Sequence, residues 1–140
     1  MAGRQESLNL KQDYASVGDL ADYASNVTFV VGAEATNVIN VGVTISDGRN
    51  VAVDAIYTLT AFLSDSATGE GVNATAPDGG IAKGTNGNYI ELVAGKNFLL
   101  QTNSSGLVDI DITESLADTW YLVIVLPDGT IAVSSAITFA

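Results

Sequence analysis

The sequence predicts an all-β protein: an antiparallel β-sandwich, jelly-roll or immunoglobulin-like Greek key in order, with an N-terminal arm. Three observations lead there. Short runs rich in Val, Ile, Thr, Tyr and Phe recur from residue 26 onward. Clusters of Gly, Asp, Asn and Pro separate them at the spacing of sandwich or barrel strands. The helical period is nearly absent; its one trace is 17–24, where Leu20 and Tyr23 fall three apart behind Ser16 as a cap. With 140 residues, 47% of them hydrophobic, the chain suffices for one domain with a core of its own.

Residues 1–25 are polar and irregular and form the expected arm; 26–140 form the sandwich. The first strand run is 26–32. The second, 37–45, puts Ile39, Val41, Val43 and Ile45 on one face. A turn at 46–50 leads to 51–53 and then to 55–64, where Tyr57, Leu59, Ala61 and Leu63 alternate with Thr58, Thr60 and Phe62. The Gly-rich stretch 65–88 reads as a long excursion at one end of the sandwich. Within it, Pro77-Asp78-Gly79-Gly80 is a turn and Asn86-Gly87 signals a hairpin.

Runs 89–93 and 97–102 are short strands around Ala94-Gly95-Lys96. Run 107–113 alternates most cleanly, with Val108, Ile110 and Ile112 inward and Asp109 and Asp111 outward. Run 119–126 is apolar on both faces, as a central strand covered on both sides would be. Pro127-Asp128-Gly129-Thr130 turns into the last run, 131–140. Eight or nine strands result. No repeat of 20–50 residues is visible, which argues against a solenoid or propeller.

Composition excludes several functions. The chain has no Cys and no His, which removes disulfides, Cys/His metal sites, thiol nucleophiles and Ser-His-Asp triads. The net charge of −11, with Arg4, Lys11, Arg49, Lys83 and Lys96 scattered, argues against nucleic-acid binding. No apolar run approaches the ~20 residues of a membrane span, and the first residues lack the apolar region of a secretory signal. The sequons at Asn26, Asn73 and Asn103 read as chance.

Few constellations could carry chemistry. Asp109 and Asp111 sit about 6–7 Å apart on one strand face, a spacing open to a glycosidase pair. The alternation, however, makes them a solvated outer face, where nothing raises a carboxyl pKa. The loop 65–71 offers Asp65 and Glu70 to calcium but lacks the EF-hand spacing. No glycine motif cradles a nucleotide. Lys83 and Lys96 occupy turns, where a Ser-Lys device has no burial. Trp120, Phe29, Phe62, Phe98 and Phe139 read as core, whereas Tyr14, Tyr23 and Tyr89 are candidates for a protein interface. No enzyme, no cofactor and no metal is expected.

The segment 109–140 resembles the end of an immunoglobulin-like sandwich: an amphipathic strand, a polar corner at Ala117-Asp118, a strand led by Trp120 and Tyr121, a hairpin, and a closing S-x-A-I-T-F strand. Tyr121 is the candidate for a tyrosine corner. From 37 to the end the chain is similar, in texture and size, to the capsid cement, or decoration, proteins of tailed bacteriophages, a Bordetella podophage among them. The resemblance implies a structural virion protein on the capsid outer surface, assembled in the host cytoplasm, that bridges subunits of the major capsid protein. It also implies a homo-oligomer, with a dimer favoured over a trimer, and no nucleic-acid or membrane partner. It brings no catalytic residues.

The competing expectation is a tail- or fibre-associated immunoglobulin-like module for adhesion or glycan binding. Such a module is tethered at both ends, whereas this chain runs from Met1 to a strand at Phe139-Ala140 and reads as free-standing. The arm supplies the expected partner-binding residues, Leu8, Leu10, Tyr14, Leu20 and Tyr23. These are large anchors in a segment, 1–24, that carries only −2 of the net −11.

Overall fold

The computed structural model describes residues 22–140. Leu8, Leu10, Tyr14 and Leu20, and the helix candidate as far as residue 21, lie outside them. Ten strands make up the described chain: β1 (Asn26–Val31), β2 (Val38–Ser46), β3 (Thr58–Ser64), β4 (Gly80–Lys83), β5 (Asn88–Val93), β6 (Asn97–Gln101), β7 (Leu107–Thr113), β8 (Asp118–Val125), β9 (Ile131–Val133) and β10 (Ile137–Phe139). No helix occurs among the described residues.

The strands form two antiparallel sheets. The first runs β1-β2-β7-β4; the second runs β10-β8-β3-β6-β5, with β9 also paired to β8. These neighbours match the ABED and GFCC′C″ arrangement of an immunoglobulin variable-type sandwich. Chain order departs in one stretch. After β3 the chain fills the D place first (β4), then C″ (β5), then C′ (β6).

Alternation builds the core. Ile39, Val41, Val43 and Ile45 from β2 and Val108, Ile110 and Ile112 from β7 face Leu59, Ala61 and Leu63 from β3, Phe98 and Leu100 from β6, and Trp120, Leu122 and Ile124 from β8. Trp120 meets Phe139 edge-on, with ring centroids 6.1 Å apart. Its Nε1 has no hydrogen-bond partner among the described residues. Ala24 is also fully buried and Ser25 N–H donates to the Ser46 carbonyl, so core packing reaches back toward residue 22.

The sequence expectation for β8 is met on the core face and only in part on the outer one, where Tyr121 and Val125 are half-buried. Trp120, Leu122 and Ile124 point inward, while Val123 points outward and is still buried, because the 65–71 loop folds over it. Gly69 (φ +79°) makes that cover close: a Cβ there would lie 2.8 Å from Val133 and 3.1 Å from Val123. Phe62 departs from expectation. It occupies an outward position on β3 and is half-buried rather than core.

The Asn86-Gly87 expectation is overturned. β4 and β5 belong to different sheets, so 84–87 is a crossing from one sheet edge to the other and not a hairpin. The signal was conformational. Gly87 has φ +72°, and a Cβ there would lie 2.3 Å from the Gln101 carbonyl oxygen. A crossing at this spot demands the same backbone freedom as a hairpin turn. The excursion 65–88 is likewise more structured than expected, since it contains β4 on the edge of the first sheet.

Two junctions escaped the sequence reading. β1 and β2 join through Thr36 and Asn37, both at positive φ (53° and 64°), with Ala35 and Val38 exchanging backbone hydrogen bonds. That is the positive-φ pair of a primed two-residue turn, with a β-branched residue in a region that disfavours it. The final run, 131–140, is split in two. Ser134 Oγ accepts the Leu122 N–H at 2.9 Å and donates to the Ser135 carbonyl, so a side chain stands where a strand carbonyl would be.

Two outcomes follow. Ile110→Asp buries an unpaired charge in a fully enclosed site and costs about 4 kcal/mol or more, measured by urea unfolding. Thr36→Asn relieves the turn and raises stability by about 0.5–1 kcal/mol, read in the same titration.

Candidate functional site

The paired carboxylates prove to be structural. Asp109 points outward from β7 as the alternation requires, yet it is only 8% exposed, contrary to the solvated face expected for it. The crossing 84–87 closes over it. Asp109 accepts the backbone N–H of Asn86 at 2.6 Å and of Thr85 at 3.0 Å, and the Asn40 amide at 2.8 Å. Asn40 donates to Asp111 as well, also at 2.8 Å. Burial pushes the Asp109 carboxyl up, but the Asn86, Asn40 and Thr85 donors outweigh it and hold the group below the usual carboxylate range. A glycosidase acid needs the opposite shift.

The 65–71 loop uses its oxygens internally. Asp65 accepts the Ala74 N–H at 2.8 Å, Ser64 Oγ donates to the Glu70 carbonyl at 3.0 Å, and Ser66 and Thr68 share a hydrogen bond. No cluster of three or more acidic residues suited to a metal ion occurs among the described residues. Lys96 donates to the Ala74 carbonyl at 2.7 Å. The sequons do structural work. Asn26 binds the Asp47 carbonyl, Asn73 is buried and holds two backbone carbonyls, and Asn103 Oδ1 accepts the Ser105 and Leu107 N–H groups.

Tyr121 is half-buried on the outward side of β8, and its hydroxyl has no hydrogen-bond partner among the described residues. The residue that ties a phenol to backbone is Tyr57, whose hydroxyl donates to the Asp22 carbonyl. Asp22 Oδ1 in turn accepts the Asp54 N–H at 3.0 Å. Together these pin Asp22, near the end of the arm, to the 54–57 segment. Sequence alternation placed Tyr57 on the core side of β3 but carried no sign of this partner.

Around that root lies an apolar end. Tyr23 is 40% exposed, Val51 51% and Ile56 61%. Residues 22–26 are fastened to 46–57 by the Asp22, Ser25 and Asn26 hydrogen bonds, so the three side chains share one end of the sandwich. Arg49 sits there too and pairs with Asp47 at 2.8 Å. The Arg49 hydrogen bond holds the Asp47 carboxyl down at about 2, against the effect of burial. Of the expected partner-binding residues, Tyr23 alone is described, and it is at this end. Tyr89, expected at an interface, instead packs on Phe98 with its hydroxyl on Glu91.

No family model matches the chain, and no curated protein matches it.

Asp109→Asn loses a charged acceptor facing three donors and costs about 1–3 kcal/mol, while Asp111→Asn, with one donor, costs under about 1 kcal/mol; paired urea titrations check the order. Asp47, Asp78, Asp109 and Asp128 all have lowered carboxyl values in the fold. Below the unfolded carboxylate value the unfolded chain therefore binds more protons, and stability rises with pH there. The melting temperature is level above about pH 5 and falls from about pH 4 downward.

Proposed function

We propose that this chain is a structural virion protein that decorates and cements the outside of a phage capsid shell by bridging subunits of the major capsid protein. The observation that carries the reading is the arm root. The arm, residues 1–25, bears Leu8, Leu10, Tyr14 and Leu20 and meets the sandwich where Asp22 is clamped by Tyr57 and Asp54, beside exposed Tyr23, Val51 and Ile56. A clamped root with apolar residues on both sides of it transmits a grip to the body of the domain. The sequence resemblance to cement proteins, in strand texture and size, points to the same role, and no catalytic step is assigned. The site of action in this reading is the capsid outer surface, after assembly in the host cytoplasm.

A second reading, an adhesion or glycan-binding module of a tail or fibre, is favoured by the variable-type strand neighbours. Loops at the ends of such sandwiches bind ligands on many unrelated proteins.

Co-sedimentation with expanded shells assembled from the major capsid protein separates the two. Deleting residues 1–20 leaves the sandwich folded by circular dichroism and weakens shell attachment tenfold or more, about 1.4 kcal/mol. Unchanged occupancy for the truncated protein overturns the arm's role. Binding to a glycan array with none to shells replaces the first reading with the second.

A further inference from the structure

We infer that Asn86 is a site of self-modification. In the folded protein the Gly87 nitrogen attacks the Asn86 side-chain amide, and position 86 becomes aspartate or isoaspartate without an enzyme. The inference does not rest on the capsid reading.

The chain has four places where Asp or Asn precedes Gly: Asp47-Gly48, Asp78-Gly79, Asn86-Gly87 and Asp128-Gly129. At each, no side chain shields the next backbone nitrogen, which can reach the side-chain carbonyl carbon before it. The four differ in how that side chain is held. Asp47 is gripped by the Arg49 side chain and by the backbone N–H groups of Arg49 and Val51. Asp78 is held by Ser115 and Asp128 by Thr130, each through a hydroxyl and a backbone N–H. These bonds keep all three carboxyls below their ordinary value, hence ionised. An ionised carboxylate repels a nucleophile, so these three resist. Asn86 is neutral, and the bond to its side-chain oxygen is a long one, 3.4 Å from the Asn103 amide.

The nucleophile is equally free. The Gly87 N–H makes no hydrogen bond among the described residues. The peptide between 86 and 87 is held through the Asn86 carbonyl, by the Asp109 N–H at 3.2 Å. Asn86 is half-buried, so water reaches it. The fold cannot discard the glycine: at φ +72°, a Cβ on residue 87 would lie 2.3 Å from the Gln101 carbonyl oxygen.

The reaction needs only water. The Gly87 nitrogen bonds to Cγ of Asn86 while the Cγ–Nδ2 bond breaks, and Nδ2 leaves as ammonia with the proton from the Gly87 nitrogen. Water then opens the cyclic imide at either carbonyl. Opening at Cγ leaves aspartate. Opening at the main-chain carbonyl leaves isoaspartate, with the backbone rerouted through the former side chain. Nothing is oxidised or reduced, and each product gains a carboxylate.

That carboxylate appears beside Asp109, which the Asn86 N–H touches at 2.6 Å. Two like charges then share a nearly buried site. In isoaspartate the new charge also replaces the carbonyl that the Asp109 N–H binds, and the crossing is one atom longer. The 84–87 joint therefore loosens with time, at a rate set within the chain.

The test ages the folded full chain in mildly alkaline buffer and maps it with trypsin. Cleavage at Arg49, Lys83 and Lys96 puts the four steps in separate peptides, 12–49, 50–83, 84–96 and 97–140. Isoaspartate, read by methyltransferase labelling, is expected in 84–96 while the other three stay unlabelled. The aged fraction, separated on an anion exchanger by its extra charge, unfolds at lower urea than fresh protein. Asn86→Gln, whose longer side chain closes the ring far more slowly, keeps its urea midpoint through the same incubation. Absence of label from 84–96 of the folded chain overturns the inference, as does an Asn86→Gln chain that ages like wild type. Equal labelling of all four peptides overturns the ranking by hydrogen bonds. An aged fraction that unfolds with fresh protein overturns the link to the crossing. The peptide map uses the wild-type chain, so it decides the matter even where the variant misfolds, and no shell enters it.

Discussion

The crossing at 84–87 is the constraint on which the sandwich turns. Four residues must carry the chain from the edge of one sheet to the edge of the other, and they close one open side of the molecule as they do so. Asp109 makes this stable by collecting two backbone N–H groups from the crossing, which would otherwise be left without partners under the loop. The result is a buried anion satisfied by donors rather than by a cation, with Asn40 holding it from the neighbouring strand. The departure from immunoglobulin chain order depends on this joint. Placing β4 on the first sheet before β5 and β6 complete the second requires a short, fixed passage between edges.

Much of the fold is legible in the sequence, and the parts that are not share a cause. β2, β3, β7 and β8 follow period-two patterning, because a strand with a core on one side writes its burial directly into alternation. The direction of Asp109 was legible by the same rule; its burial was not, since a loop 23 residues upstream covers it. Asn86-Gly87 announces a backbone with positive φ, and a hairpin and a crossing make that same local demand. Only the strand partners distinguish them, and partners are non-local. Thr36-Asn37 escaped in the other direction: Asn37 suits a positive φ, but the β-branched Thr36 beside it does not signal one. For the interaction surfaces, Tyr23 was legible as an anchor, whereas its neighbours Val51 and Ile56 read as parts of strand runs. They are exposed because 51–57 is mostly irregular, with a single bridge from Ala52 to Ser46.

The acidic residues are partitioned by use. Asp47, Asp78, Asp109, Glu114 and Asp128 all accept backbone N–H groups in turns and loops. Part of the negative charge thus holds loops in shape.

Ser134 has a consequence for what can add to the margin of the sheet. By breaking the last strand into β9 and β10, it denies any incoming chain an unbroken row of backbone groups along that border. The shift in register between Glu91 and Val93 does the same on the opposite border. Strand-by-strand polymerisation into ribbons is therefore blocked at both margins of this sheet.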